Sequence, residues 1–125
     1  MAIRPVQLRL NHIIGAIDEA TDYLDGKDFA GYQGSRIARR AIERCLTIVS
    51  EAARHIPASQ TERYPDIPWR AVSDIGNVLR HRYYAVSDHV VWRTATYSLP
   101  ELRPVVLSML AAADMERDET SKDEP

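Results

Sequence analysis

The side chains best suited to catalysis lie close together in SDIGNVLRHRYYAVSDHVVW, residues 73–92. Side chains three or four residues apart share one face of a helix, so the spacing predicts a single polar patch. Its members are Asn77, Arg80, His81 and Tyr84. An imidazole can accept and return a proton, and a guanidinium can stabilise negative charge on oxygen. The patch therefore suits metal-free cleavage of RNA, in which a base deprotonates a ribose 2′-hydroxyl and a cation stabilises charge at phosphorus.

The same histidine also has a simpler, structural interpretation. A histidine near the C-terminal end of a helix can interact with the last carbonyl groups and with the helix dipole. Tyr83, two residues after His81, points away from the patch unless the helix ends there, and the AVSD sequence that follows indicates such an ending. Spacing alone favours the structural interpretation.

The composition predicts one compact globular domain. The chain has 125 residues, of which 45% are hydrophobic and 27% charged, with only five glycines. Its single cysteine, Cys45, cannot form an internal disulfide, and it lies in an apolar run that suggests a buried thiol in a reducing compartment. The N-terminal residues lack an unbroken apolar stretch of signal-peptide or membrane-span length. We therefore expect a cytoplasmic protein without membrane association.

The charge is distributed unevenly along the chain. The net charge is -2, but residues 114–125 hold six of the eighteen acidic residues, which leaves residues 1–113 at +2 from fourteen basic and twelve acidic residues. Fourteen of the sixteen basic residues are arginine, a side chain suited to bidentate contacts with phosphate or carboxylate. A general nucleic-acid binder is normally far more basic, so this bias gives RNA binding only modest support.

Apolar spacing predicts an all-α protein. The first helix is predicted over Pro5–Asp25, followed by a loop in GKDFAGYQGS, and Gly34 or Ser35 can start the second helix. The second helix, which contains AIERCLTIVSEAARHIP, is apolar over more than one face, so we expect it to be buried on two sides. One side would face the core of the protomer and the other a second copy of the chain.

Prolines and caps place the later helices. Three prolines in HIPASQTERYPDIP end the second helix, and Pro68 suits the first turn of a third helix that Gly76 weakens without necessarily breaking it. Ser87 or Asp88 can cap a fourth helix, and Pro100 can open a fifth. The prediction is an antiparallel bundle of four to five helices over residues 1–113, followed by a flexible acidic tail over residues 114–125.

Five linked stretches resemble one known family. They are LRLNHIIGAID, AIERCLTIVSEAARHIP, YPDIPWRAV, GNVLRHRYYAVSDHVVW and LPELRPVV. Their order, and the length of the chain, are similar to those of the HepT-like branch of the HEPN superfamily. A run of linked signatures is far more specific than any one of them.

The resemblance implies a fold, an activity and partners. It implies an all-α homodimer with metal-independent endoribonuclease activity and no cofactor, acting on RNA as the toxin of a type II or type VII toxin–antitoxin system. Its partner would be an MNT-type nucleotidyltransferase antitoxin. By resemblance, His81 and Tyr83 form the family's His-x-Tyr motif and Asn77 its preceding polar residue. Tyr83 would then be the residue to which the antitoxin attaches AMP.

One position departs from the family pattern. The family has an arginine five residues before the histidine, where this chain has Gly76. One hypothesis, which we favour, is a variant in which Arg80 supplies the cation from a different turn, with a dimer able to bring Arg80 of one protomer to His81 of the other. The alternative is a catalytically inactive helical dimer that binds a nucleotidyltransferase partner or a nucleotide.

Other polar residues are less informative. His12, His55 and His89 have no second ligand at a convincing metal spacing, so no metal site is predicted. Glu51 is either an exposed charge or a supporting residue that faces Arg80 or His81 across the bundle and orients them.

Two further groups of residues flank these candidates. Trp69 and Trp92 are expected to be core or interface anchors. Three arginines of the second helix are expected at its solvated edge, with contacts to RNA phosphate or to the antitoxin as the alternative. They are Arg39, Arg40 and Arg44.

Overall fold

The computed structural model describes residues 5–81 and 87–123, with side chains up to residue 115. Its elements are α1 (Pro5–Leu24), α2 (Phe29–Gln33), α3 (Arg36–Arg54), α4 (Ala58–Thr61), α5 (Trp69–His81), α6 (Asp88–Arg93), a π-helical turn (Thr94–Ser98) and α7 (Leu99–Asp123). Every element of these two ranges is helical, which confirms the predicted all-α fold. None of the described helices is both long and apolar enough to cross a membrane.

Side-chain caps fix where several helices begin. The Ser35 hydroxyl accepts the Ala38 N–H at the start of α3, and the Ser87 hydroxyl accepts the Val90 N–H at the start of α6, as the sequence predicts. The prediction of a plain loop between the first two long helices is wrong. Asp28 caps the short helix α2 there, because its carboxylate accepts the Gly31 N–H at 2.8 Å.

The predicted fourth and fifth helices follow one another without a break. The π-helical turn joins α6 to α7, and within it the Leu99 N–H donates to the Thr94 carbonyl. Pro100, which lacks an N–H, directly follows this widened turn and so lies inside the helical run instead of opening a new one. α7 then continues to Asp123, into the segment that the sequence assigns to a tail, while the domain boundary at residue 113 stays a prediction.

Helix α3 lies at the centre of the bundle. It packs against α1 on one side and α5 on the other, and α1 also packs against α7. The buried residues of α3 are Ala38, Ile42, Cys45, Leu46, Val49, Ser50, Ala52 and Ala53. Burial on two sides is therefore confirmed, but α5 of the same chain covers the second side. Ile37 stays 78% exposed at the N-terminal end of α3, and the contact of this helix with a second copy stays a prediction.

Candidate functional site

The predicted polar patch lies on the last two turns of α5. Asn77, Arg80 and His81 are all exposed, and His81 is the last residue of the helix. The Asn77 amide donates to Asp74 Oδ1 at 3.4 Å, within the same helix. Tyr83 and Tyr84 lie outside the described residues, so the His-x-Tyr motif is placed only through its histidine.

Glu51 of α3 links the patch to the neighbouring helix. Its Oε1 lies 3.8 Å from Nη2 of Arg80 and 3.7 Å from Nη1 of Arg54. The predicted contact between Glu51 and Arg80 is therefore present, whereas no described residue forms an ion pair or hydrogen bond with His81. Because all three charged side chains are at least one third exposed, each pair stabilises the fold by less than about 1 kcal/mol. The Arg80 guanidinium is oriented by Glu51 and still available to a stronger anionic ligand.

Ser50 of α3 and Gly76 of α5 lie in direct contact. Ser50 is completely buried, and its hydroxyl donates to the Ser73 carbonyl at 2.7 Å while accepting the Gly76 N–H at 2.9 Å. A Cβ atom on residue 76 would lie 3.0 Å from Ser50 Oγ and 3.3 Å from Ser50 Cβ. Most real Cβ contacts are longer than this. Any larger residue at position 76, where the glycine departs from the family pattern, would therefore require Ser50 to shift by a few tenths of an ångström.

Arg80 lies one helical turn beyond this packing contact. It follows Gly76 by four residues, so the two share one face of α5 about 6 Å apart along its axis. At Gly76 that face packs on Ser50, whereas the Arg80 side chain is exposed to solvent and contacts the Glu51 carboxylate.

The other predicted residues lie apart from the patch. Arg39 contacts Asp88 at 3.9 Å. Burial raises the pKa of Glu43, an effect that Arg40 and Arg39 partly offset. These contacts place both arginines near α6 and the start of α3. They therefore do not extend the surface around His81.

Both tryptophans pack against the core, as predicted. Trp69 Nε1 donates to the Tyr64 carbonyl at 3.0 Å. The ring of Trp92 lies 5.4 Å from that of Tyr32 and 6.0 Å from that of Phe29. Phe29 in turn stacks on His89 at 3.9 Å, which gives His89 an aromatic partner.

Sequence reasoning missed a groove between α1 and α3. It encloses about 360 Å³ and is lined by Arg9, His12, Arg44, Thr47, Ile48, Glu51 and Ala52. Arg9 and His12 are three residues apart on α1, and Arg44 and Glu51 are seven apart on α3, so each pair shares a face. This spacing was visible in the sequence, but the pairing of the two faces depends on how α1 packs against α3.

Known proteins similar to this chain agree on one family. The family model described as "Ribonuclease HepT-like" matches residues 13–109. A Methanocaldococcus jannaschii protein named "Putative RNase" is 29% identical over 103 residues, which cover 82% of this chain and 89% of that protein. A Thermococcus cleftensis protein named "Probable ribonuclease HepT" is 29% identical over 94 residues, which cover 75% of this chain and 86% of that protein. No solved structure matches. The chain belongs to the HepT-like ribonuclease family.

Proposed function

We propose that the chain is a metal-independent endoribonuclease whose reaction takes place at the end of α5. His81 removes the proton from a ribose 2′-hydroxyl, and the resulting oxygen attacks the adjacent phosphorus. The bond to the 5′-oxygen breaks, that oxygen takes up a proton from solvent while protonated His81 returns its proton to solvent, and a 2′,3′-cyclic phosphate remains. Arg80 stabilises the negative charge on the phosphoryl oxygens, and Asn77 positions the RNA.

The observation that carries this proposal is the orientation of Arg80. Its side chain is 54% exposed and is held by Glu51 at 3.8 Å, directly before His81 in the chain. A base and a cation for phosphate are thus neighbours on an accessible surface. Membership of the HepT-like ribonuclease family supports the same chemistry.

The biological role that we propose is that of a toxin in a toxin–antitoxin system. The partner would be an MNT-type nucleotidyltransferase antitoxin that attaches AMP to Tyr83, and the setting would be the cytoplasm. Tyr83 follows His81 by two residues, so a nucleotide attached there would be close to the reacting groups. A homodimer would allow Arg80 of one protomer to serve His81 of the other.

Cleavage in the presence of a chelator tests the activity. Purified protein with EDTA should cut RNA and leave 2′,3′-cyclic phosphate ends, and His81→Ala should abolish the cutting. A His55→Ala variant is the matched control, because His55 is an exposed histidine at the C-terminal end of α3 and has no part in the proposed reaction. Equal cleavage by the His81→Ala protein would rule out the proposed site.

The contact between Gly76 and Ser50 favours a second candidate, an inactive helical dimer that binds a nucleotidyltransferase or a nucleotide. A Cβ atom at position 76 would lie 3.0 Å from Ser50 Oγ, so the packing disfavours the arginine that the family pattern has there. If Arg80 does not replace it, the wild-type chain should neither cleave RNA nor arrest growth when expressed alone. It should still co-purify with the nucleotidyltransferase, whereas RNA cleavage that depends on Arg80 would exclude this candidate.

A further inference from the structure

The groove between α1 and α3 carries more positive than negative charge. Its lining contributes two arginines, Arg9 and Arg44, together with His12 and a single carboxylate, Glu51. Glu51 already contacts Arg54 and Arg80 on its other side. No ion pair joins Arg9 or Arg44 to a carboxylate among the residues that the structure describes. Two arginines and one carboxylate therefore line a concave groove of about 360 Å³.

Arginine in a concave site favours a particular class of ligand. Its planar guanidinium donates two parallel hydrogen bonds to phosphate or carboxylate oxygens, and it loses less hydration than an ammonium group does. Arg9 is half-buried on α1, whereas Arg44 is exposed on α3, so the two approach the groove from opposite walls. An anionic group between them can be contacted from both sides.

One residue, Glu51, connects the groove to the proposed reaction site. Glu51 lines the groove and also contacts Arg80, which precedes His81. When the reacting phosphate of an RNA strand lies at Arg80, the neighbouring phosphates of that strand can therefore reach the groove. A second anion site adjoining the reacting one is the arrangement that a repeating polyanion requires.

We propose that the α1–α3 groove binds phosphates of the RNA strand next to the one that is cleaved. Arg9 and Arg44 contact phosphate oxygens, and His12 adds a ring N–H donor. This assignment rests on the proposed ribonuclease function, because it takes RNA as the ligand.

The test measures RNA binding separately from cleavage. In a His81→Ala background, a short fluorescent single-stranded RNA is titrated with the protein at several salt concentrations. The double variant Arg9→Gln/Arg44→Gln should bind about tenfold more weakly, with the slope of log affinity against log salt smaller by about 1.4, because each contact with a single-strand phosphate contributes about 0.7. The control, Arg36→Gln/Arg93→Gln, removes the same charge from exposed arginines outside the groove. It should keep the wild-type slope.

Additional variants keep the test decisive. If the double variant does not fold, Arg44→Gln alone, which alters an exposed side chain, should lower the slope by about 0.7. In the cleavage-competent protein, the double variant should raise KM and leave kcat at saturating RNA unchanged. Polyglutamate serves as a competing anion.

The outcomes separate this inference from the proposed function. If wild-type protein does not cleave RNA but its binding depends on Arg9 and Arg44, the groove assignment stands and the ribonuclease proposal fails. If wild-type protein cleaves RNA and the double variant matches the control, the groove assignment is overturned. It is also overturned if the double variant loses polyglutamate binding but keeps RNA binding, because the groove would then recognise an acidic protein.

Discussion

The Ser50 hydroxyl joins α3 to the backbone of α5 by donating to the Ser73 carbonyl and accepting the Gly76 N–H. The bond to Gly76 is 2.9 Å long and completely buried, and it lies one turn before Arg80. Helix α5 is therefore fixed against α3 directly ahead of the residues proposed to act on RNA. The position of Arg80 and His81 depends on this contact.

Substitution of Gly76 should destabilise the fold although glycine is a poor helix former. Gly76→Ala gains up to about 1 kcal/mol in helix propensity. It also places a methyl group 3.0 Å from Ser50 Oγ and 3.3 Å from Ser50 Cβ, an overpacking that costs about 1–3 kcal/mol. We expect the free energy of unfolding in urea to fall by about 1 kcal/mol, and further for Gly76→Arg.

The matched control is Gly15→Ala in α1, where an added Cβ meets no atom within 4 Å. It should raise the free energy of unfolding by up to about 1 kcal/mol. A Gly76→Ala protein that is as stable as the Gly15→Ala protein would contradict the packing argument.

Loss of the Ser50 hydroxyl should also destabilise the fold. Ser50→Ala removes the hydrogen bonds to the Ser73 carbonyl and from the Gly76 N–H, each of which contributes about 0.5–1.5 kcal/mol. Ser108→Ala is the comparison, because Ser108 is exposed on α7. Equal denaturant midpoints for the two variants would show that the hydroxyl does not join the helices.

The two arginines that share Glu51 should differ in their effect on cleavage. Arg80→Ala should lower kcat by about 10²- to 10³-fold, because Arg80 adjoins His81 and stabilises the transition-state charge. Arg54→Ala, which removes the other partner of Glu51, should keep kcat within a few-fold of wild type. Steady-state cleavage of a defined RNA gives kcat for both variants. Equal losses of kcat would show that the effect comes from the ion pairs of Glu51 and not from Arg80 itself.

Cys45 should be inert until the protein unfolds. The pKa of its thiol is raised to about 11, mainly by burial. The Glu19 carboxylate also raises this pKa, and Arg44 lowers it by less. The thiolate is the reactive form, so a disulfide reagent at pH 8 should modify the native protein slowly and the urea-unfolded protein at once. Rapid modification of the native protein would contradict the burial of Cys45.

Alkaline pH should weaken the fold through two buried groups, Cys45 and Tyr32. The folded-state pKa of Cys45 is raised from 9.0 to about 11, and that of Tyr32 from 10.0 to about 12, mainly by burial. The folded state therefore holds these protons more tightly than the unfolded state does. The stability they confer is complete below pH 9 and is lost as the pH rises through 11 to 12. Urea midpoints across this range should fall more for wild type than for Cys45→Ala.

Local sequence signals predicted most of the helices. The apolar spacing of α1 and α3 and the caps at Ser35 and Ser87 depend on neighbouring residues alone, and the structure confirms them. The short helix at Asp28 was missed because the glycines around it indicate a loop more strongly than one capping carboxylate indicates a helix. Pro100 was assigned to a helix start because proline commonly occupies that position, whereas a π-helical turn accommodates it within the run.

The candidate site was predictable in composition but not in its contacts. The sequence shows Arg80 beside His81, and it leaves Glu51 with two interpretations. Which of them holds depends on the register between α3 and α5, and Ser50 and Gly76 set that register through a contact across 26 residues. The charged groove between α1 and α3 depends in the same way on helix packing.

The fit of Gly76 against Ser50 has an evolutionary consequence. An arginine introduced at position 76 by one mutation would place its Cβ 3.0 Å from the buried Ser50 hydroxyl oxygen, so Ser50 would have to shift to accept it. A prior change of Ser50 would remove the hydrogen bond that it accepts from the Gly76 N–H. We expect each order of mutation to pass through a less stable protein, so selection on folding alone would preserve the pair.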